Sequence, residues 1–175
     1  MLNLNPKDIV HFTPEEEQAI AALIANPSAK KGKELWEEKG PQNVFVEIKR
    51  KIRLHSLTIQ KVKCVYCETI LERGSADIEH FAPKWKHIPF LYTPLNLTCS
   101  CPICNGVSKK GKRDTIKGNV VFPYEKNTFK YVHPFLDDVD KEIKYRDPFR
   151  ILLDRKHCSV KGNASIDMFN WDTIS

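Results

Sequence analysis

The stretch KCVYCETIL, residues 63–71, sets two cysteines, Cys64 and Cys67, across a two-residue gap inside a short, apolar, β-branched run. Such a run reads as a strand or a tight knuckle rather than a helix. A second pair with the same gap, Cys101 and Cys104 in CPIC, lies further along, and residues 68–100 separate the two. That span exceeds the roughly 15 to 20 residues of the commonest four-cysteine pattern, so something sizeable fits inside it. Each gap lets two thiolates turn toward one cation, and four thiolates complete the closed tetrahedral shell of structural zinc. Cys99 is an alternative to Cys101, but the two-residue spacing to Cys104 favours Cys101 and leaves Cys99 as a buried thiol. The 6 cysteines, with no basic-then-apolar leader ahead of them, fit free thiols in a reducing cytoplasmic setting.

The span between the pairs contains ADIEHFAPK, residues 76–84, which gathers Asp77, Glu79 and His80 and then runs into Phe81, Ala82 and Pro83. Burying two carboxylates and an imidazole beside an apolar patch is costly unless each finds a partner. On a strand Asp77 and Glu79 face one side and His80 the other, so a strand end or bend is needed before Glu79 and His80 serve one site. Asn105, next to Cys104, adds a hard carbonyl oxygen, and carboxylate plus amide oxygen is a donor set suited to Mg²⁺ or Mn²⁺. His157 and Cys158 are neighbours in sequence, which rarely lets a nucleophile and its base meet.

Outward from this centre, the 175 residues are 41% hydrophobic, enough for one core, and carry a formal charge of +6 with a pI near 9.0. That balance suits a polyanionic partner such as nucleic acid, because Lys and Arg that neutralise phosphates release condensed counterions. Thr13-Pro14-Glu15-Glu16 has the form of a capped helix start, and the helix is expected to run to about Asn26, where Pro27 stops it. A second helix is expected over 42–60, with Phe45, Ile48, Ile52 and Ile59 on one stripe and His55 packed beside it. ADIEHF is expected as a strand, SKKGKRDTIKG (108–118) as a frayed helix end and loop, and NVVFP (119–123) and EIKYRDPF (142–149) as short strands. The apolar run at 19–25 is too short to span a bilayer, so no membrane role is expected.

CVYCE at 64–68, IEHFAPK at 78–84, LNL at 95–97 and CPICN at 101–105, in that order, resemble the HNH endonucleases, the ββα-metal family. The resemblance covers roughly residues 62–112 and implies an α+β fold: a ββα-metal core over 62–118 stapled by zinc, an N-terminal helical region over 1–61 and a mixed C-terminal extension over 119–175. It implies His80 as general base, Glu79 and Asn105 as holders of a catalytic Mg²⁺ or Mn²⁺, Asn96 as a brace for the loop bearing His80, and Cys64, Cys67, Cys101 and Cys104 as ligands of structural zinc. Lys84, Lys86, Lys109, Lys110, Lys112 and Arg113 would then grip flanking phosphates. Two departures stand out: Glu occupies a position where the family more often has Asp or His, and the family's basic residue three after the terminal Asn falls on Ser108. The tighter resemblance is to small bacterial HNH proteins with an EHF-PK segment, including nuclease subunits of Septu-type antiphage systems, some linked to retrons. It implies phosphodiester hydrolysis in nucleic acid, DNA favoured, and an ATPase partner of the ABC or SMC-like kind docking on the N-terminal arm, the C-terminal tail or HPFLDDVD (133–140).

Overall fold

In the computed structural model, which describes residues 1–25, 31–72 and 74–173, helix α1 spans Pro14–Ala25. The Thr13 amide donates to Glu16 Oε2 at 2.8 Å and the Glu16 amide returns a bond to Thr13 Oγ1 at 3.3 Å, closing the box expected from the sequence. The stop expected at Asn26 and Pro27 lies outside the described residues. Helix α2, Gly32–Glu37, is too short to announce itself by periodicity. Helix α3 is Val44–Ile59 and begins later than expected because Gln42 and Asn43 take left-handed backbone, with φ of 50° and 61°. Its Phe45, Ile48 and Ile52 are buried, while Ile59 lies only partly buried against a different cluster. His55 keeps one nitrogen satisfied, with Nε2 at 3.1 Å from the Asp8 carbonyl.

β1 (Asp77–His80) and β2 (Leu97–Ser100) pair antiparallel, with Asp77 opposite Ser100 and His80 opposite Leu97. The stretch at 63–71 is a knuckle held by one bridge, Lys63 to Ile70, rather than a strand. Gln60 finishes the edge of the small sheet. Its side-chain amide accepts from the Cys99 N–H and donates to the Cys99 carbonyl, both at 2.7 Å, doing what a third strand would do. After β2 comes a single helical turn, α4, Pro102–Asn105, capped by Cys101 Sγ accepting from the Cys104 amide. Residues 107–112 are turns, so the frayed helix end expected from 108 is absent.

The two C-terminal strands are also absent. The Asn127 side chain takes over the role of a partner strand at 119–123, accepting from the Val121 amide at 2.8 Å and donating to its carbonyl at 2.7 Å. At 142–149 one isolated bridge, Tyr145 to Leu153, forms before Pro148 and the Asp147 turn end it. The region instead supplies α5 (Val139–Glu142) and α6 (Val160–Phe169), whose Ser159 cap accepts from the Gly162 amide at 2.9 Å. One core cluster joins α2 and α3 to Leu91, Tyr92 and Leu97; the other joins the knuckle to Phe81, Phe90, Ile143, Ile166 and Phe169. Within HPFLDDVD, His133, Phe135 and Val139 are buried and Asp137 pairs with Lys161 at 2.6 Å, while Asp138 and Asp140 are exposed.

Candidate metal and active centre

The knuckle at 64–67 and the turn at 101–104 bring the Sγ atoms of Cys64, Cys67, Cys101 and Cys104 within 4.8 Å of one another. Cys67 and Cys101 sulfurs lie 3.8 Å apart, and a tetrahedral ion with metal–sulfur bonds of about 2.3 Å sets sulfurs at about that separation. The Cys101 amide donates to Cys64 Sγ at 3.3 Å and the Cys104 amide to Cys101 Sγ at 3.4 Å, contacts that favour thiolates. Hydrogen bonding from Cys104 pulls the Cys67 thiol down, and hydrogen bonding to Cys64 pushes that of Cys104 up. The donor set fits zinc. Cys99 stands apart, its Sγ 3.8 Å from the Arg53 carbonyl and its thiol pushed up to about 12 by burial. Cys158 lies against the Lys144 and Asp154 carbonyls, and His157 pairs with Asp154 instead of with it.

β1 ends on His80, and that ending brings its ring to the same cleft as Glu79 and Asn105. The cleft, about 360 Å³, is also lined by Trp36, Lys84 and Lys112. His80 Nε2 lies 3.1 Å from the Leu91 carbonyl, which only accepts, so Nε2 carries the proton and Nδ1 holds the lone pair. Nδ1 is buried and has no partner among the described residues. Burial first, then the ammoniums of Lys84 and Lys110, hold this imidazole well below its usual pKa. It is therefore neutral at physiological pH.

Glu79 is buried with two donors on one oxygen: the Tyr66 hydroxyl at 3.1 Å and the Lys110 ammonium at 2.9 Å. Lys110 also donates to the His80 carbonyl at 3.0 Å, so it is an internal strut and not a surface cation. The Asn105 side-chain amide donates to Asp77 Oδ2 at 3.1 Å, leaving its carbonyl oxygen without a hydrogen bond among the described residues. Asn96 grips Ala82 from both sides, accepting from its amide at 2.6 Å and donating to its carbonyl at 3.2 Å. Tyr124 donates to Asn96 Oδ1 at 2.9 Å, and the buried His133 lies 3.1 Å from the Tyr124 hydroxyl. Of the remaining cations expected on phosphates, Lys86 is engaged by Asp114 at 2.6 Å and Lys109 by the Phe169 carbonyl. Trp36, Tyr66, Tyr124 and His133 carry no sequence signal for this site, since each reaches it by tertiary packing.

Fold and site together define a class: a mixed α and β protein in which clustered thiols, able to hold zinc, tie a two-stranded sheet beside a cleft holding a neutral histidine, a carboxylate and an amide. Over 125 residues, 70% of this chain, it is 39% identical to the Septu protein PtuB of Bacillus thuringiensis. The aligned part spans 42% of that protein, so the chain covers less than half of its relative's length. No family model matches the chain, and no solved structure matches it. Among the described residues no helix is long and apolar enough to cross a membrane.

Proposed function

We propose that this chain is a divalent-metal-dependent endonuclease of the HNH type that hydrolyses phosphodiester bonds in nucleic acid, DNA favoured, as part of a bacterial antiphage system. The observation that carries the reading is His80 with a protonated Nε2 on a carbonyl and a buried, unengaged Nδ1, on a residue that lines the cleft together with Glu79 and Asn105. Similarity to a Septu protein supports the defence setting; the ATPase partner of the ABC or SMC-like kind rests on the resemblance carried by the EHF-PK segment. In this reading residues 62–118 carry the chemistry, and 1–61 and 119–175 frame it and offer surface to the partner.

His80 Nδ1 takes a proton from the attacking water, while the Leu91 carbonyl keeps the ring oriented and stabilises the imidazolium that forms. Asn96 holds the chain just beyond His80 in place through Ala82. The oxygen donors fit a hard divalent cation, which Glu79 and Asn105 would hold, with Asp77 bonded to Asn105. Such a cation, when bound, stabilises charge on the phosphoryl and leaving oxygens. The test is cleavage of duplex DNA, single-stranded DNA and RNA in Mg²⁺ or Mn²⁺, with and without a candidate ATPase subunit. His80→Ala is expected to lose about 10²- to 10⁴-fold in rate with zinc content unchanged; equal cleavage by mutant and wild type would remove His80 from the mechanism.

A second reading, a catalytically silent zinc-stabilised nucleic-acid-binding or adaptor module, is favoured by the Glu79–Lys110 pair, which already neutralises the carboxylate. Paramagnetic broadening by Mn²⁺ separates the two. Broadening at residues 77–80 and 105 supports the nuclease; none there, with nucleic-acid binding indifferent to divalent ions, supports the module.

A further inference from the structure

We propose that Lys84 is a catalytic residue, its ammonium contacting the non-bridging oxygens of the scissile phosphodiester, with Trp36 setting its spacing from His80. The proposal rests on the nuclease reading and assigns that site a cation supplied by the protein itself.

The backbone of Lys84 is seated by a close approach that only glycine permits. A β-carbon on Gly32, the first residue of α2, would lie 1.8 Å from the Lys84 carbonyl oxygen and 2.7 Å from its carbon. Beyond it, the amides of Lys86 and His87 both donate to the Pro83 carbonyl, at 3.1 and 3.0 Å, closing the turn that carries Lys84 away from His80. α2 then supplies Trp36, which touches both residues. Its ring meets the His80 imidazole edge-on, centroids 4.4 Å apart at 88°, and the Lys84 ammonium lies over its face at 5.8 Å from the centroid. One indole thus spaces a neutral base from a cation on the wall of a single cleft.

The other lysines around the cleft, apart from the exposed Lys112, already have acceptors. Lys110 is bound to Glu79, Lys33 pairs with Glu37, and Lys49 donates to the Trp36 and Glu38 carbonyls. Lys84 is half-buried, and among the described residues its ammonium makes no hydrogen bond or ion pair within contact distance. A desolvated ammonium without an acceptor is unfavourable; burial accordingly lowers the Lys84 pKa, with the more distant Glu79 and Asp77 opposing. A phosphoryl group in the cleft supplies the missing acceptors. The orphaned Nδ1 of His80, buried on the same wall, asks for the water that attacks that group.

In the step, water oxygen bonds to phosphorus, its proton passes to His80 Nδ1, the phosphorus–oxygen bond to the leaving group breaks, and the departing oxygen takes a proton from solvent water. Lys84 keeps its proton throughout and neutralises charge on the phosphoryl oxygens as it builds. Interactions made in the transition state appear in kcat, and uniform phosphate contacts appear in KM. Lys112, exposed at the rim of the same cleft, provides the contrast.

The experiment measures kcat and KM for the full chain, with its ATPase subunit where cleavage needs it, for wild type, Lys84→Met, Lys84→Arg and Lys112→Met. Lys84→Met is expected to lose about 10²-fold or more in kcat with KM changed less than about threefold, and Lys84→Arg to regain at least tenfold of that loss. Lys112→Met is expected to raise KM and flatten the salt dependence at unchanged kcat. Melting temperature and zinc content are read alongside; should Lys84→Met fail to fold, Lys84→Gln is read in the same way. Wild-type kcat in the Met or Gln variant, or a loss confined to KM, overturns the assignment while leaving the nuclease reading intact. A wild type inert on every substrate and ion, alone and with its partner, overturns both.

Discussion

Asp114 gathers Lys86 at 2.6 Å and the buried His87 at 2.7 Å onto one carboxylate, which also accepts from the Ile116 amide at 3.2 Å. Burial, the largest single influence, works to raise its pKa, but the hydrogen bonds from Lys86, His87 and Ile116 together outweigh it and bring the carboxyl down to about 2. A group depressed in the folded state contributes stability that is present above its unfolded pKa and is lost as pH falls through the folded one. Asp114→Asn is therefore expected to be less stable than wild type at pH 5 to 7, with the gap closing between about pH 4 and pH 2. Urea titrations across that range check it; a gap independent of pH would contradict it. At this scale the sequence was informative wherever spacing constrains chemistry. Cys101 rather than Cys99 joins the cluster, as the two-residue gap indicates. It was uninformative about partners: nothing in Lys110 or Tyr66 announces that both close on Glu79.

Helices long enough to show a period were legible. α1 and α3 carry a capping box and an apolar stripe, and both lie where these signals put them apart from the left-handed start at Gln42 and Asn43. α2 has six residues and β2 is buried at all four positions, so neither offers a periodic pattern. The strands expected at 119–123 and 142–149 failed because β-branched residues record a propensity, whereas a strand needs a partner, and Asn127 and the Asp147 turn supplied the hydrogen bonds first. α2 matters more than its length implies, because Gly32 packs directly on the carbonyl of Lys84. Gly32→Ala is expected to push α2 off the turn after His80, lowering stability by about 1 to 3 kcal/mol. Calorimetry checks the loss, and zinc content is expected to stay at the wild-type level; an unchanged melting temperature would show that α2 shifts freely.

For the whole molecule, the thiol cluster ties residues 64–67 to 101–104, while a second core, α2 and α3 against Leu91, Tyr92 and Leu97, holds without it. Chelation is therefore expected to release one zinc per chain and to lower the melting temperature. Hydrogen exchange should speed up across 62–71 and 97–106, while α3 amides stay protected. Absence of zinc from the purified chain, measured by native mass spectrometry, would contradict this. The C-terminal residues join the same core as the knuckle through Ile143, Ile166 and Phe169, and they reach the site through His133, Tyr124 and Asn96.

The sequence by itself determined which residue types stand at which spacing: two thiol pairs, an acid and a histidine between them, an amide just after, one capped helix start and one amphipathic helix. These are local facts, because ligand gaps and helical periods are written within a few neighbouring positions. Only the tertiary structure decided that His80 leaves Nδ1 free, that Glu79 is already matched by Lys110, and that Trp36 stands between His80 and Lys84. Hydrogen-bond partners, burial and the pKa shifts they cause depend on distances between chain segments far apart in sequence, and those exist only once the two cores have packed.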